Sequence, residues 1–339
     1  MTPRRRVIPV FVPHLGCPNA CVFCSQRLIS GTESVPTPET VRTAVETALK
    51  SVPDNGTFQI AFYGGSFTAV PQPLQDALLG AAVPFLSRRK GTGIRISTRP
   101  DCIDEETVAR LKAAGVQTIE LGAQSLSDDV LALSGRGHSR EDTIRAAGII
   151  RKAGMELILQ MMTGLPGDTP ERAMETAHGL IALAPQGVRI YPAVVLRGTE
   201  LETMWRRGAY KAHTVEDAVS ICARLYEMFE QAGIPVIRLG LHASESLGAD
   251  VVAGAYHPAL GELVLSRVLF RRAVAQIHAV AIEKPRRLVL GVHPSRVSAM
   301  AGQKRQNIRA LEEMLHCRVT VSGTEKAQAG DVLLLEVEK

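Results

Sequence analysis

Long apolar runs are missing from this 339-residue chain. The longest, such as AVAQIHAVAI at 273–282, fall well short of the roughly 20 residues a membrane-spanning helix needs and carry polar side chains. The N-terminus, MTPRRRVIPVFVPHLG, turns from basic to apolar as a signal peptide does. Its apolar part is short, holds two prolines and runs straight into cysteines, so it reads as a first strand. Cysteine is scarce, with six residues, and Cys102, Cys222 and Cys317 stand alone. That excludes the paired framework of a small secreted protein and makes a reducing cytoplasm the expected setting. No internal repeat or low-complexity tract stands out. Hydrophobic content of 45% with 22% charged residues excludes a disordered chain. A net charge of +5 admits an anionic partner without requiring one.

The other three cysteines are crowded into HLGCPNACVFCSQ, as Cys17, Cys21 and Cys24. Three thiols at this spacing are too close for ordinary disulfide pairing and one ligand short of a closed tetrahedral site. Zinc would need a fourth donor, for which His14 is near in sequence, but structural zinc sites usually pair two short ligand motifs across a loop, and no second motif exists. A 4Fe–4S cluster held by three cysteines leaves one iron open to a substrate or cofactor. Three incidental cysteines are the third reading.

Short β-rich runs recur along the chain: 6–15, 58–65, 93–100, 117–125, 155–164, 187–196 and 234–241. Segments of helical periodicity separate them, such as DEETVARLKAAG and REDTIRAAGIIRKAG, which open acidic and close on glycine. Strand-then-helix repetition with near-continuous apolar strands predicts a parallel sheet with helices against it. Six or seven such units predict an α/β fold, a partial (β/α)6-type TIM-like barrel whose chemistry gathers at the C-terminal strand ends. The informative residues fall there: the cysteines after the first run, Gly64, Gly65 and Ser66 after the second, Arg99 and Asp101 after the third, Gln124 and Ser125 after the fourth, and Thr163 to Gly167 after the fifth. The expected domains are 1–240 for the barrel, 241–283 for a barrel-closing extension and linker, and 284–339 for a small basic α+β domain.

The C-x3-C-x2-C spacing, with Phe23 before the last cysteine, resembles the signature of the radical S-adenosylmethionine (SAM) superfamily. The resemblance implies a 4Fe–4S cluster on Cys17, Cys21 and Cys24, SAM chelated at the open iron, and a 5′-deoxyadenosyl radical that abstracts hydrogen. It also implies a flavodoxin or ferredoxin-type electron donor. Tyr63-Gly64-Gly65-Ser66-Phe67 resembles the turn whose backbone binds the SAM amino group, and equally fits a plain tight strand-to-helix turn. ELGAQSLSDDVLALSGRGHS (120–139) and MTGLPGDT (162–169) resemble the coproporphyrinogen-oxidase-like and Elongator-like branches, which places Gln124 and Arg136 beside SAM. Taken without the motif, Arg136 reads as a solvated charge at a helix start.

Two departures separate the chain from the porphyrinogen oxidases: STRPD (97–101) where they carry a glutamate, and Gln160 where they carry an aspartate. By contrast, RIYPAVVLRGTELETMWRRGAYKAHTVEDAV (189–219) resembles the Elongator catalytic subunit, a tRNA-modifying enzyme; the likeness runs over roughly 7–240. The cysteine spacing is the short form and no acetyltransferase-like segment follows, so the full Elongator reaction is not carried over, and radical chemistry on RNA is the expectation. A tetrapyrrole or other small-molecule substrate, and a non-catalytic zinc-bound RNA-binding protein, are the alternatives. Within 240–267, His242, Glu245, His257 and Glu262 either line the open side of the barrel or belong to a closing loop. Tyr256 and His257 are the catalytic candidates there.

From Lys284 to Arg309 seven Lys or Arg residues occur with no acid. GQKRQNIR (302–309) between two expected helices resembles the GXXG loop of KH RNA-binding domains, with Arg305 in place of the second glycine. The strand-helix-helix-strand-strand order suits a KH-like fold, in which Lys304, Arg305 and Arg309 would meet RNA phosphates. A basic dimerisation or docking module fits the same residues.

Overall fold

The computed structural model describes residues 6–12, 17, 21–25, 34–53, 56–88, 92–241, 245–280 and 285–338. His14, His242 and Lys284 lie outside the described residues, as does the Glu245 side chain. The chain forms two compact units: Met1–Thr214 with Met228–Tyr256, and Val215–Glu227 with His257–Lys339.

The first unit is built on strands β1 (Arg6–Val12), β2 (Phe58–Gly64), β3 (Gly93–Thr98), β4 (Val116–Gln124), β5 (Glu156–Thr163), β6 (Gly187–Pro192), β7 (Val194–Leu196), β8 (Val236–Leu239) and β9 (Val251–Gly254). Seven of them form one sheet in the order β1-β2-β3-β4-β5-β6-β8, parallel throughout, the half-barrel that the strand-helix alternation predicts. Ile8, Ile60, Ile94, Ile119, Leu157 and Val188 lie buried on one face, in line with the buried faces of the helices Pro38–Leu49, Glu105–Ala113, Arg140–Lys152 and Pro170–Ala182. Each helix starts on a side-chain cap: Thr37, Asp104, Ser139 and Thr169 accept from main-chain N–H groups of the first turn. Caps fix where each helix begins and so the length of the loop left at the strand end.

The sixth β-rich run departs from its expected course. It breaks at Ala193, whose N–H bonds the Thr163 carbonyl, and the chain then leaves the main sheet. β7 pairs instead with β9, antiparallel, in a separate two-stranded ribbon.

The second unit begins earlier than the composition shift at 284 suggests. The helix Leu260–Ala279 belongs to it because Leu269, Ala273 and Ile277 share a core with Leu288, Leu290, Val292, Met300, Leu311 and Val319. A strand β10 (Arg287–Val292), helices Val297–Ala301 and Gln306–Leu315, and strands β11 (Arg318–Gly323) and β12 (Val332–Glu338) follow in the expected order. β10 is central, parallel to β11 and antiparallel to β12. Buried Asn307 ties the two helical layers, its Nδ2 donating to Ser266 Oγ (2.9 Å) and to the Met300 carbonyl (3.1 Å). No helix among the described residues is long and apolar enough to cross a membrane.

Candidate cluster and cofactor site

The C-terminal ends of β1 to β5 bring the predicted residues together. Cys17, Cys21 and Cys24 form no disulfide and are each partly exposed, with Cys21 and Cys24 joined by a tight turn (Cys24 N–H to the Cys21 carbonyl, 3.0 Å). The turn is held from two sides: Val22 N–H donates to the Ser134 carbonyl (3.1 Å), and Leu201 N–H donates to the Val22 carbonyl (2.8 Å). Val22 and Phe23 pack against Val195, Leu201 and Tyr210.

Gly64 ends β2 with φ +110°, and a Cβ there would stand 2.4 Å from the Val12 carbonyl oxygen. Glycine is required by the close crossing of two strand ends. Gly65 N–H donates to that same oxygen (2.8 Å). The Ser66 hydroxyl is buried and committed, to Thr98 Oγ1 at 2.8 Å and as acceptor from Arg99 N–H at 3.3 Å. This turn therefore locks β1, β2 and β3 to one another.

Gln124 ends β4 at φ +63°, just after a bulge between Gly122 and Gln124, and its Oε1 accepts from Gln160 Nε2 (3.2 Å). Strained non-glycine backbone of this kind concentrates at functional sites. The bulge turns two carbonyls off the ladder, and both are taken: Gly122 by Arg136 Nη2 (2.7 Å) and Ala123 by His138 Nε2 (3.1 Å).

Arg136 is not a solvated helix-start charge. It is 7% exposed, and its Nη1 lies 3.4 Å from Cys21 Sγ. Arg99, 2% exposed, stands behind it, forked onto Asp101 (Nε to Oδ1 3.0 Å, Nη2 to Oδ2 2.9 Å) and donating from Nη2 to the Arg136 carbonyl (2.6 Å). Burial works against the Arg99 charge, but the hydrogen bonds and charge of Asp101 outweigh it and hold its pKa above the ordinary value. Burial, aided by the Arg136 charge, pushes His138 down to about 4, so its ring is neutral at pH 7.

The residues suit an anionic iron–sulfur cluster. Arg99 Nη1 and Arg136 Nε are buried without a hydrogen-bond partner, and a buried unpaired donor costs about 1–3 kcal/mol. Two guanidinium groups with donors in reserve, beside the cysteine turn, would suit thiolate-bound metal and a carboxylate ligand.

A second polar assembly lines the inner face of the same strands, and the motif reading did not find it. Glu120, 4% exposed, accepts from Arg95 Nη1 (2.6 Å), Arg189 Nη2 (2.9 Å) and Tyr63 OH (3.2 Å). Arg189 also lies over the Tyr63 ring, 5.4 Å from its centroid, and reaches Tyr191 OH (3.2 Å). Burial and the Glu120 charge push the Tyr63 phenol up to about 12. The available signal was a single charged residue inside each of three strands that otherwise read as largely apolar: Arg95, Glu120 and Arg189.

The remaining candidates have surroundings of their own. Tyr256 packs against the small apolar cluster of Val194, Leu196 and Leu247. His257 Nδ1 accepts from Ala259 N–H (3.0 Å), a local bond at the start of the helix Leu260–Ala279. In the second unit Lys304 (φ +48°) and Arg305 (φ +60°) form an exposed left-handed turn after Gly302, and Arg309 donates back to the Lys304 carbonyl.

Residues 11–180 match the Radical SAM superfamily, and residues 185–269 match the Radical_SAM C-terminal domain. The chain belongs to the radical SAM superfamily. It is 27% identical over 255 residues to the tRNA uridine(34) acetyltransferase of Methanocaldococcus infernus, an alignment covering 63% of this chain and 48% of that one. Human Elongator complex protein 3 is 29% identical over 226 residues, with 60% of this chain and 40% of the relative covered. The chain thus spans about half the length of these curated relatives or less. Among solved structures, the M. infernus Elp3 with an N-terminal deletion superposes with a TM-score of 0.60 at 24% identity, covering 82% of this chain and 64% of that chain. Coproporphyrinogen III oxidase from Escherichia coli gives 0.51 at 18%, covering 68% and 54%. Both carry the same half-barrel fold.

Proposed function

We propose that this chain is a radical SAM enzyme that modifies RNA, with tRNA the first substrate to test. The observation that carries the radical part is the Arg136–Cys21 contact, which joins two motifs 115 residues apart in sequence at the end of a parallel sheet. Cys17, Cys21 and Cys24 would hold the cluster. Gly64, Gly65 and Ser66 would offer main chain to SAM, since the Ser66 hydroxyl is engaged within the protein; Gln124 and Arg136 would offer side chains. Bound there, the cluster and SAM supply one-electron chemistry that yields a 5′-deoxyadenosyl radical for hydrogen abstraction.

The protein's own work is orientation and shielding. Arg136 holds a charge against the cysteine turn, the Gln124–Gln160 pair fixes the strained end of β4, and the Glu120 layer presents Tyr63, Arg189 and Tyr191 to a molecule entering the half-barrel. The RNA part is supported by the names of the relatives and by the basic turn at Lys304, Arg305 and Arg309, read as KH-like. The electron donor fitting this chemistry is of the flavodoxin or ferredoxin type, and a cytoplasmic setting suits both.

The test is anaerobic reconstitution with iron and sulfide, then dithionite and SAM, with 5′-deoxyadenosine measured with and without tRNA. The expected result is nucleoside formation stimulated by tRNA. No nucleoside from a cluster-loaded protein overturns the radical reading. Nucleoside indifferent to RNA but stimulated by a porphyrinogen transfers the substrate to the tetrapyrroles, and a colourless preparation with one zinc and no iron makes the chain a zinc protein.

A further inference from the structure

The cysteine turn touches one guanidinium, and that guanidinium is itself held by a second. Arg136 spends Nη2 on the Gly122 carbonyl and directs Nη1 to Cys21 Sγ at 3.4 Å. Its own carbonyl is gripped by Arg99 Nη2 at 2.6 Å, and Arg99 is fixed in turn by the two oxygens of Asp101. The ends of β3 and β4 and the loop after β1 are thereby coupled through two side chains. Arg136 is reached through the glycines that flank it, Gly135 (φ +62°) and Gly137 (φ +72°), which let the chain fold back under the sheet end.

The charge count at this place is uneven. Arg99 and Arg136 bring two positive charges to the single carboxylate of Asp101, which is itself 22% exposed and so partly screened, while Arg99 is 2% exposed. Among the described residues the ion pairs leave one of the two buried guanidinium charges without a carboxylate beside the cysteine turn. Two features of a protein raise the reduction potential of an iron–sulfur cluster: hydrogen bonds to its sulfurs and nearby positive charge, because both favour the more negative reduced state. Arg136 supplies both, and Arg99 decides where Arg136 stands.

We propose that Arg99 is a positioning residue that tunes the reduction potential of the cluster on Cys17, Cys21 and Cys24, by holding Arg136 as an N–H donor to the Cys21 sulfur, with Asp101 offsetting part of the charge. The inference rests on those cysteines holding a cluster. It concerns electron entry, not the choice of substrate.

A potentiometric titration of the reconstituted protein without SAM, read by electron paramagnetic resonance of the reduced cluster, tests it. At a fixed potential Arg99→Gln and Arg136→Gln should each lower the reduced-to-oxidised ratio by tenfold, which is about 59 mV for a one-electron couple. Asp101→Asn should shift the ratio the opposite way, because it removes the only negative charge of the group. Arg99→Lys keeps the charge and loses the fork, so it should recover part of the shift. A merely structural role would not produce opposite signs for Arg99→Gln and Asp101→Asn.

Potentials unchanged in Arg99→Gln and Arg136→Gln at equal iron content overturn the proposal, as does an Asp101→Asn shift in the same direction as theirs. Should Arg99→Gln fail to fold, as its circular dichroism would reveal, Arg136→Gln and Asp101→Asn decide by the same signs. A wild-type protein with no reducible cluster would sink the cofactor assignment; a normal cluster with unmoved potentials sinks this proposal alone.

Discussion

Arg189 and Glu120 stand on strands separated by β5, yet Nη2 and Oε1 meet at 2.9 Å across the inner face. Arg95, on the far side of Glu120, closes the same carboxylate at 2.6 Å. One carboxylate thus bridges β3, β4 and β6, and neither arginine has another acid among the ion pairs of the described residues.

Glu120→Gln leaves two neighbouring guanidinium groups with no counter-charge. Breaking a buried pair this way costs about 3–5 kcal/mol. Urea denaturation should show a loss of that order, and the double variant Glu120→Gln with Arg189→Met should recover part of it. A double variant no better than the single one would mean that Arg189 and Glu120 are not coupled.

Two glycines give opposite expectations. Gly64→Ala places a methyl group 2.4 Å from the Val12 carbonyl at φ +110° and should cost at least about 2 kcal/mol, with cluster content falling because the end of β1 leads into the cysteine loop. Gly148→Ala, on an exposed position within the helix Arg140–Lys152 with nothing inside 4 Å, should stabilise by about 0.5–1 kcal/mol. Thermal unfolding of the two variants separates the cases.

Acid should act on two groups in opposite directions. His138 falls from its ordinary pKa near 6.5 to about 4, so between these values the unfolded chain binds the extra proton and stability declines as pH falls. The full effect is on the order of 3 kcal/mol. Asp168, raised to about 6 by burial, keeps its proton in the fold, which favours the folded state at acid pH and gives up that contribution as pH rises through 6. His138→Gln should therefore flatten or reverse the acid loss between pH 6.5 and 4, and Asp168→Asn should steepen it. Parallel curves for wild type and His138→Gln would show that the fold does not depress this pKa.

The basic turn predicts a salt dependence. If Lys304, Arg305 and Arg309 meet phosphates, the slope of log K against log salt should fall by about 0.7 per single-strand contact removed, and by about two for the triple alanine variant. Filter binding to tRNA at several salt concentrations measures it. An unchanged slope assigns those residues to a solvated face.

Much of the half-barrel was readable because its strands are buried against helices and read as near-continuous apolar runs, with caps and glycines marking the boundaries between them. The strand-end cysteines, Gly64 and Gln124 could be placed for the same reason: position after a strand is a local property. Arg136 could not be settled locally. Its sequence fits both a solvated helix start and a site, and only the return of the chain through Gly135 and Gly137 buries it. The Arg95–Glu120–Arg189 layer was missed because its meaning depends on three non-consecutive strands sharing one face. The long helix Leu260–Ala279 lies in the stretch read as a barrel-closing extension and linker because composition changes only after it, whereas its apolar side completes the core of the small sheet.

The main-chain bonds of Val22 reach Ser134 and Leu201. During synthesis, then, the cysteine turn acquires its final shape only after some three-fifths of the polypeptide has emerged and folded. Iron delivery to a nascent N-terminal fragment would meet a loose peptide, open to oxidation and to the wrong metal. If the cysteines hold the proposed cluster, its insertion is thus expected to be a late event, and truncated chains ending before residue 201 should take up iron and sulfide poorly.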